Sequence, residues 1–112
     1  MDEFKPDVGA IHQEPDNYNS FLLNGNFPNP FNPSTIIWLD DNRQFSQTAK
    51  VKIYDLKGSL VRSFLFPVNG AGRYNISWDG KSDNGRGLPA GIYFYKIQIN
   101  NAELIGKMVM VK

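Results

Sequence analysis

From Phe21 onward, apolar side chains recur at every second position in short runs, and clusters of Gly, Asn, Asp and Pro separate the runs. A period of two places alternate side chains on opposite faces of an extended chain, so each run reads as a β-strand with one face turned to a core. The cleanest is Arg73-Tyr74-Asn75-Ile76-Ser77-Trp78, in which Tyr74, Ile76 and Trp78 form the apolar face and every alternate position is polar. In Ile92 to Ile99 the pattern turns Tyr93, Tyr95, Ile97 and Ile99 inward, leaves Lys96 and Gln98 to water, and puts Ile92 and Phe94 on a partly covered second face. Val51 and Ile53 point inward between Lys50 and Lys52. The runs 60–66 and 103–111 are apolar on both faces, and the period does not orient them.

The predicted strands are Phe21 to Asn24, Thr35 to Leu39, Lys50 to Asp55, Leu60 to Phe66, Arg73 to Trp78, Ile92 to Ile99 and Glu103 to Val111. Nothing carries a helical period. Seven short strands at this spacing predict an all-β fold, a seven-stranded antiparallel immunoglobulin-like or fibronectin-like β-sandwich. Asp55-Leu56-Lys57-Gly58 and Asp83-Asn84-Gly85 offer a side-chain oxygen followed by a Gly able to take positive φ, so both read as tight reversals, and Asp79-Gly80 ends the strand that Trp78 closes. Residues 1–20 read as a linker from an upstream domain, because Pro6, Gly9, Pro15, Asp16, Asn17 and Asn19 break any periodic pattern; residues 21–112 form the folded unit.

Composition narrows the function classes. A chain of 112 residues, 41% hydrophobic, makes one domain with a core of its own. The absence of Cys removes thiol chemistry. Twelve Lys and Arg against eleven Asp and Glu, a net charge of +1 spread along the chain, offer no basic stripe for nucleic acid. No apolar run approaches the roughly 18 residues of a membrane span, and Met1-Asp2-Glu3-Phe4 is too acidic to open a signal peptide, so an export signal is expected upstream in a longer parent.

Candidate catalytic chemistry is sparse. The single histidine, His12, lies in the linker, away from any hydroxyl it could activate. Asp79, Asp83 and Asn84 read either as turn caps or as a weak calcium loop, without the alternating acidic spacing that ends in a bidentate Glu. Gly70-Ala71-Gly72 lacks the lysine of a phosphate loop and reads as a hinge between strands. Asn75-Ile76-Ser77 matches a glycosylation sequon but reads as strand. Trp38, with Ile36 and Tyr54, forms either an exposed aromatic platform for a sugar ring or a surface covered by a neighbouring segment. No enzyme activity, cofactor or resident metal is expected, and the domain is expected to be a monomer.

Gly25-Asn26-Phe27-Pro28-Asn29-Pro30-Phe31-Asn32-Pro33-Ser34-Thr35-Ile36-Ile37 resembles the opening of the C-terminal sorting domains of type IX secretion cargo, usually written NYPNPFNPST. The later pieces follow in the family's order: Val51 to Gly58, then Trp78-Asp79-Gly80, Asp83-Asn84-Gly85, Leu88-Pro89-Ala90-Gly91-Ile92-Tyr93-Phe94-Tyr95, and last Lys107-Met108-Val109-Met110-Val111-Lys112. A related immunoglobulin-like domain occurs in the flagellar hook-cap protein. The resemblance covers roughly residues 22–112 and implies a sandwich closing a larger secreted protein. Its implied partners are the outer-membrane type IX machinery and a sortase-like peptidase. Its implied place is the surface or surroundings of a Gram-negative bacterium, reached through the periplasm. Trp78, Asp79, Gly80, Gly85, Gly91 and Tyr93 carry the structural signature. Two departures stand out: Phe27 replaces Tyr, and Asp40-Asp41 arrive where an apolar continuation is usual, which predicts a shorter second strand.

Pro28, Pro30 and Pro33 fix φ and remove three amide donors, so their segment is an extended edge or a crossover, with Asn29 and Asn32 able to bond backbone groups the prolines leave unpaired. Phe31 is placed as a plug at the end of the sandwich. The segment serves either structure or direct reading by the export machinery. The last strand is expected at a sheet edge, where a receptor could add a strand, with Lys107 and Lys112 as flanking charges. Lys107 to Lys112 is therefore the expected main recognition element, and truncation before Lys107 is expected to abolish export. Two other roles compete: a structural or assembly module, and a carbohydrate-binding module using Trp38 and Tyr54.

Overall fold

Alternation of apolar and polar positions is met by two facing sheets. The computed structural model describes residues 21–41, 46–100 and 102–112; the expected linker and its His12 lie outside the described residues. The strands are β1 (Phe21–Phe27), β2 (Thr35–Asp41), β3 (Ser46–Asp55), β4 (Leu60–Asn69), β5 (Gly72–Trp78), β6 (Gly91–Ile99) and β7 (Ala102–Met110). One sheet has the order β1-β2-β5 and the other β4-β3-β6-β7, and the strand pairs within each are antiparallel. In the constant-type immunoglobulin arrangement the fourth strand lies beside the fifth; here β4 has joined β3 in the other sheet.

The inward sets are those the alternation predicts: Ile37 and Leu39, Val51 and Ile53, Ile76 and Trp78, and Tyr93, Tyr95, Ile97 and Ile99 are all buried. For β7, which the pattern left unoriented, the structure turns Met108 and Met110 into the core and Glu103, Ile105 and Lys107 outward. Gly106 sits opposite Tyr95 on the inward side, where a Cβ would fall 2.3 Å from the tyrosine ring, so this gap is what admits the ring between the sheets.

Strand ends differ from expectation for local reasons. β1 continues past Asn24 because Asn24-Gly25-Asn26 is a bulge, with Gly25 at φ 87°, and not a terminator. β4 runs through Pro67, which is tolerated because β4 is an edge strand. β2 is not shortened by its acidic pair. Asp40 faces out and accepts 2.8 Å and 2.7 Å hydrogen bonds from Arg73 Nε across the strand and from Asn24 Nδ2, while Asp41 is buried opposite Gly72. The Arg73 hydrogen bond, then that of Asn24, lowers the Asp40 pKa below its ordinary 3.8. A depressed carboxylate pKa adds stability that is present above the unfolded pKa and is lost as pH falls through the folded one. The stability difference between the protein and Asp40→Asn is therefore expected to shrink as pH drops below about 4, in urea titrations across that range.

Candidate functional site

Motifs far apart in sequence converge at one end of the sandwich. The loop joining β1 to β2 leaves its own sheet and lays Phe31 against β7. Val109 O accepts from Phe31 N at 2.9 Å and Phe31 O accepts from Val111 N at 2.8 Å, a short parallel pairing opposite Met110. Asn29 Oδ1 accepts from Val109 N at 2.9 Å. Of the two expected forms, an extended edge or a crossover, the segment takes the second: it runs through bends, with cis peptide bonds before Pro28, Pro30 and Pro33, crosses to the other sheet at Phe31 and returns to Thr35. Asn29 does bond a backbone amide, although on β7 and not within its own loop. Asn32 is exposed and makes no hydrogen bond to a described residue.

The Phe31 ring is 1% exposed, with its centroid 5.8 Å from that of Trp78; Trp78 in turn meets Tyr93 edge-on at 5.5 Å. The plug that the sequence suggested is present. Trp78 Nε1 donates to Lys81 O at 3.0 Å, which satisfies its polar edge at the mouth of the core. Gly80, at φ 77°, is buried against the loop: a Cβ there would lie 2.5 Å from Pro33 O and 3.2 Å from Met110 Cε. Tyr93 Oη donates to Pro89 O at 2.6 Å, a tyrosine corner at the entry to β6. Burial first, and then Asp55, raise the Tyr93 pKa, which keeps the phenol protonated as the donor. Lys112 Nζ closes the end with a 3.3 Å bond to Leu88 O. The tyrosine corner was legible as a Tyr following Pro89 and Gly91, and the reading of single strands passed over it.

The connection between β5 and β6 is held by carboxylates acting as caps. Asp79 Oδ1 accepts from Lys81 N at 3.0 Å and from Arg62 Nη1 at 3.3 Å, and Asp83 Oδ1 accepts from Ser63 N at 3.1 Å. Arg62 lies between the two carboxylates, and they are turned to it and to the backbone. Gly85, at φ 84°, completes the reversal that starts at Ser82, and Gly58 does the same after Asp55. Gly91, at φ 155°, opens β6. Trp38 and Tyr54 do not share a platform: Trp38 lies on the outer face of the three-stranded sheet beneath Arg73, and Tyr54 on that of the four-stranded sheet beside Lys96. Sequence alternation could not reveal this, because it does not say which sheet a strand joins.

A family model described as the FlgD Ig-like domain matches residues 40–103, more than half of the chain. The chain belongs to the FlgD Ig-like domain family. Among solved structures, the domain is similar to dimeric latent PorU from Porphyromonas gingivalis, with a TM-score of 0.67 and 28% identity over 81% of this chain and 9% of that one. It also resembles FlgD from Xanthomonas campestris, a hook-capping protein essential for flagellar assembly, at TM-score 0.57 and 20% identity over 80% of this chain and 64% of that one. PorZ, an essential surface component of the type IX secretion system of Porphyromonas gingivalis, matches at TM-score 0.52 and 16% identity over 78% of this chain and 11% of that one. The last two likenesses are of fold. This FlgD Ig-like domain spans less than two thirds of each of these proteins, and no curated protein sequence matches it. The family match stops short of both Pro28 to Pro33 and Lys107 to Lys112, the two segments that Phe31 ties together.

Proposed function

We propose that this immunoglobulin-like domain is a non-catalytic C-terminal sorting domain, which directs a larger parent protein across the outer membrane through the type IX machinery to the cell surface or medium. One observation carries the reading: the Pro28 to Pro33 loop and Lys107 to Lys112, the pieces that resemble the opening and closing motifs of sorting domains, are bonded to each other through Phe31. The 28% identity to PorU, from the bacterium whose PorZ is a surface component of a type IX secretion system, supports the reading. As an address, the domain needs a stable surface and no reacting group, and the polar side chains of this end serve as caps and clamps.

The geometry also changes how the idea must be tested. Met108 and Met110 are core residues, so a chain ending at Gly106 would lose folding along with any signal. Charge reversal at the exposed Lys107 and Lys112 keeps the core. A fluorescent reporter fused to residues 22–112 is expected to reach the surface or medium of a bacterium with a working type IX system. Lys107→Glu with Lys112→Glu is expected to reduce that signal about tenfold, the equivalent of about 1.4 kcal/mol of lost recognition, with little change in thermal unfolding. Periplasmic retention of the folded, unsubstituted fusion would sink the reading. The FlgD family match favours a second reading, a structural or assembly module. Such a module would keep its role when placed in the interior of a carrier chain; a sorting domain would not.

A further inference from the structure

Both edges of the four-stranded sheet are partly closed by the chain itself. On β4, Val61 O accepts from Asp83 N at 3.0 Å, Asp83 Oδ1 takes the amide of Ser63, and Pro67 has no amide to offer. On β7, Asn29 and Phe31 occupy the edge groups of Val109 and Val111. Backbone groups alternate in direction along a strand, so Glu103, Ile105 and Lys107 point the same way as Val109, away from β6. Among the described residues nothing pairs with them: β7 has β6 as its one strand partner. Among the described residues the open edge of this strand is therefore 103–107, and Phe31 sets where it stops.

The side chains beside that edge specify what fits. The outer face of the sheet carries Lys50, Lys52, Lys96 and Lys107. Lys96 is 3.7 Å from Glu103, whereas Lys50, Lys52 and Lys107 have no carboxylate partner among the described residues. Ile105, 36% exposed, borders a shallow apolar depression of about 210 Å³ lined with Tyr54, Phe94 and Lys96. Residues directly opposite in a strand pair share a face, so an incoming strand would place one side chain against Ile105 and the next on that face against Lys107.

We infer that β7 accepts an added β-strand along Glu103–Lys107 from a protein segment with an apolar residue opposite Ile105 and a carboxylate opposite Lys107. This deepens the export reading by naming the contact through which it would act, and rests on that reading for its biological partner. Main-chain bonds to the edge supply affinity, and the lysine-rich face selects an acidic strand. The open edge, and not the whole of Lys107 to Lys112, forms the contact, because the amides of Val109 and Val111 are already bonded.

The test tethers a probe strand to the full chain. A short β-prone tail carrying one aspartate and, two positions later, one valine is fused after Lys112 through a Gly/Ser linker of about eight residues. Such a linker spans about 16 Å, enough to bring the tail back alongside Lys107. Amide hydrogen exchange at Ile105 and Lys107 is expected to slow at least about tenfold with the aspartate tail and to stay unchanged with lysine in the aspartate position. Ile105→Pro removes an outward amide that is outside the β6 ladder, so the fold is expected to survive while protection of Lys107 is lost. Equal protection by both tails, protection by neither, or protection on β1, β4 or β5 instead would overturn the proposal. Failure of the reporter fusion to leave the periplasm would remove the export reading alone, since tail protection is measured without any secretion machinery.

Discussion

Phe31→Ala is expected to lower the stability of the domain by about 3–5 kcal/mol, the range for truncating a fully buried aromatic, which would place it among the most damaging single substitutions in the chain. Phe31 is 1% exposed and packs on Trp78, and no side chain in the loop is placed to fill the space: Pro28, Pro30, Asn32 and Pro33 are exposed, and Asn29 is held on Val109 N. For a domain of this size each kcal/mol moves the melting temperature by about 4–8 °C, so a drop on the order of 20 °C is expected in thermal unfolding followed by circular dichroism. Phe27→Ala, four residues earlier and 72% exposed, serves as the control and is expected to change stability by about 0.5 kcal/mol or less. Asn29→Ala removes the acceptor for Val109 N and is expected to cost about 1 kcal/mol. If Phe31→Ala moved the unfolding midpoint no further than Phe27→Ala, the loop would be decoration on the sandwich and not its end plug.

A second large effect is expected at Gly80, and Gly85 isolates its cause. Both have positive φ, 77° and 84°, so an alanine at either carries the left-handed backbone cost of about 1–2 kcal/mol. They differ in surroundings: nothing lies within 4 Å of a Cβ at Gly85, whereas at Gly80 the Cβ would meet Pro33 O at 2.5 Å. A backbone oxygen in a loop clamped by Phe31 cannot step aside as a flexible side chain would. Gly80→Ala is therefore expected to destabilise by about 1–3 kcal/mol more than Gly85→Ala, as overpacking does in cores. Denaturant midpoints of the two variants, measured side by side, check this directly. Equal losses would mean that Pro33 yields, and that the Trp78-Asp79-Gly80 turn and the proline loop are not pressed together as the structure has them. The same pair matters for the export reading, since a variant that fails to export and also fails to fold says nothing about recognition.

The contrast between these two glycines shows where sequence reasoning reached its end. Gly85 was readable, because Asp83-Asn84-Gly85 is a turn whose cause lies within its own few residues. At Gly80 half of the reason is Pro33, which is distant in sequence and becomes a neighbour only when β1 to β2 and β5 to β6 connections meet at the same end of the sandwich. Likewise Asp40-Asp41 read as the end of a strand because the pair stands where an apolar continuation is usual; Arg73 directly opposite Asp40, which gives that carboxylate a partner across the strands, is revealed only by the pairing register.

Local sequence was enough for the number and order of the strands, the inward faces of those that alternate and the reversals between them, since period-two burial and positive-φ turns are properties of a few consecutive residues. It also carried the resemblance that names a function. Tertiary structure alone decided which strands share a sheet, and so placed Trp38 and Tyr54 on opposite outer faces. It alone tied Phe31 to Val109 and Val111, leaving Glu103 to Lys107 as the edge of β7 that is open among the described residues. The physical reason is that pairing and edge closure depend on backbone groups that every residue carries alike, so no side-chain pattern announces which of them will already be satisfied when the chain has folded.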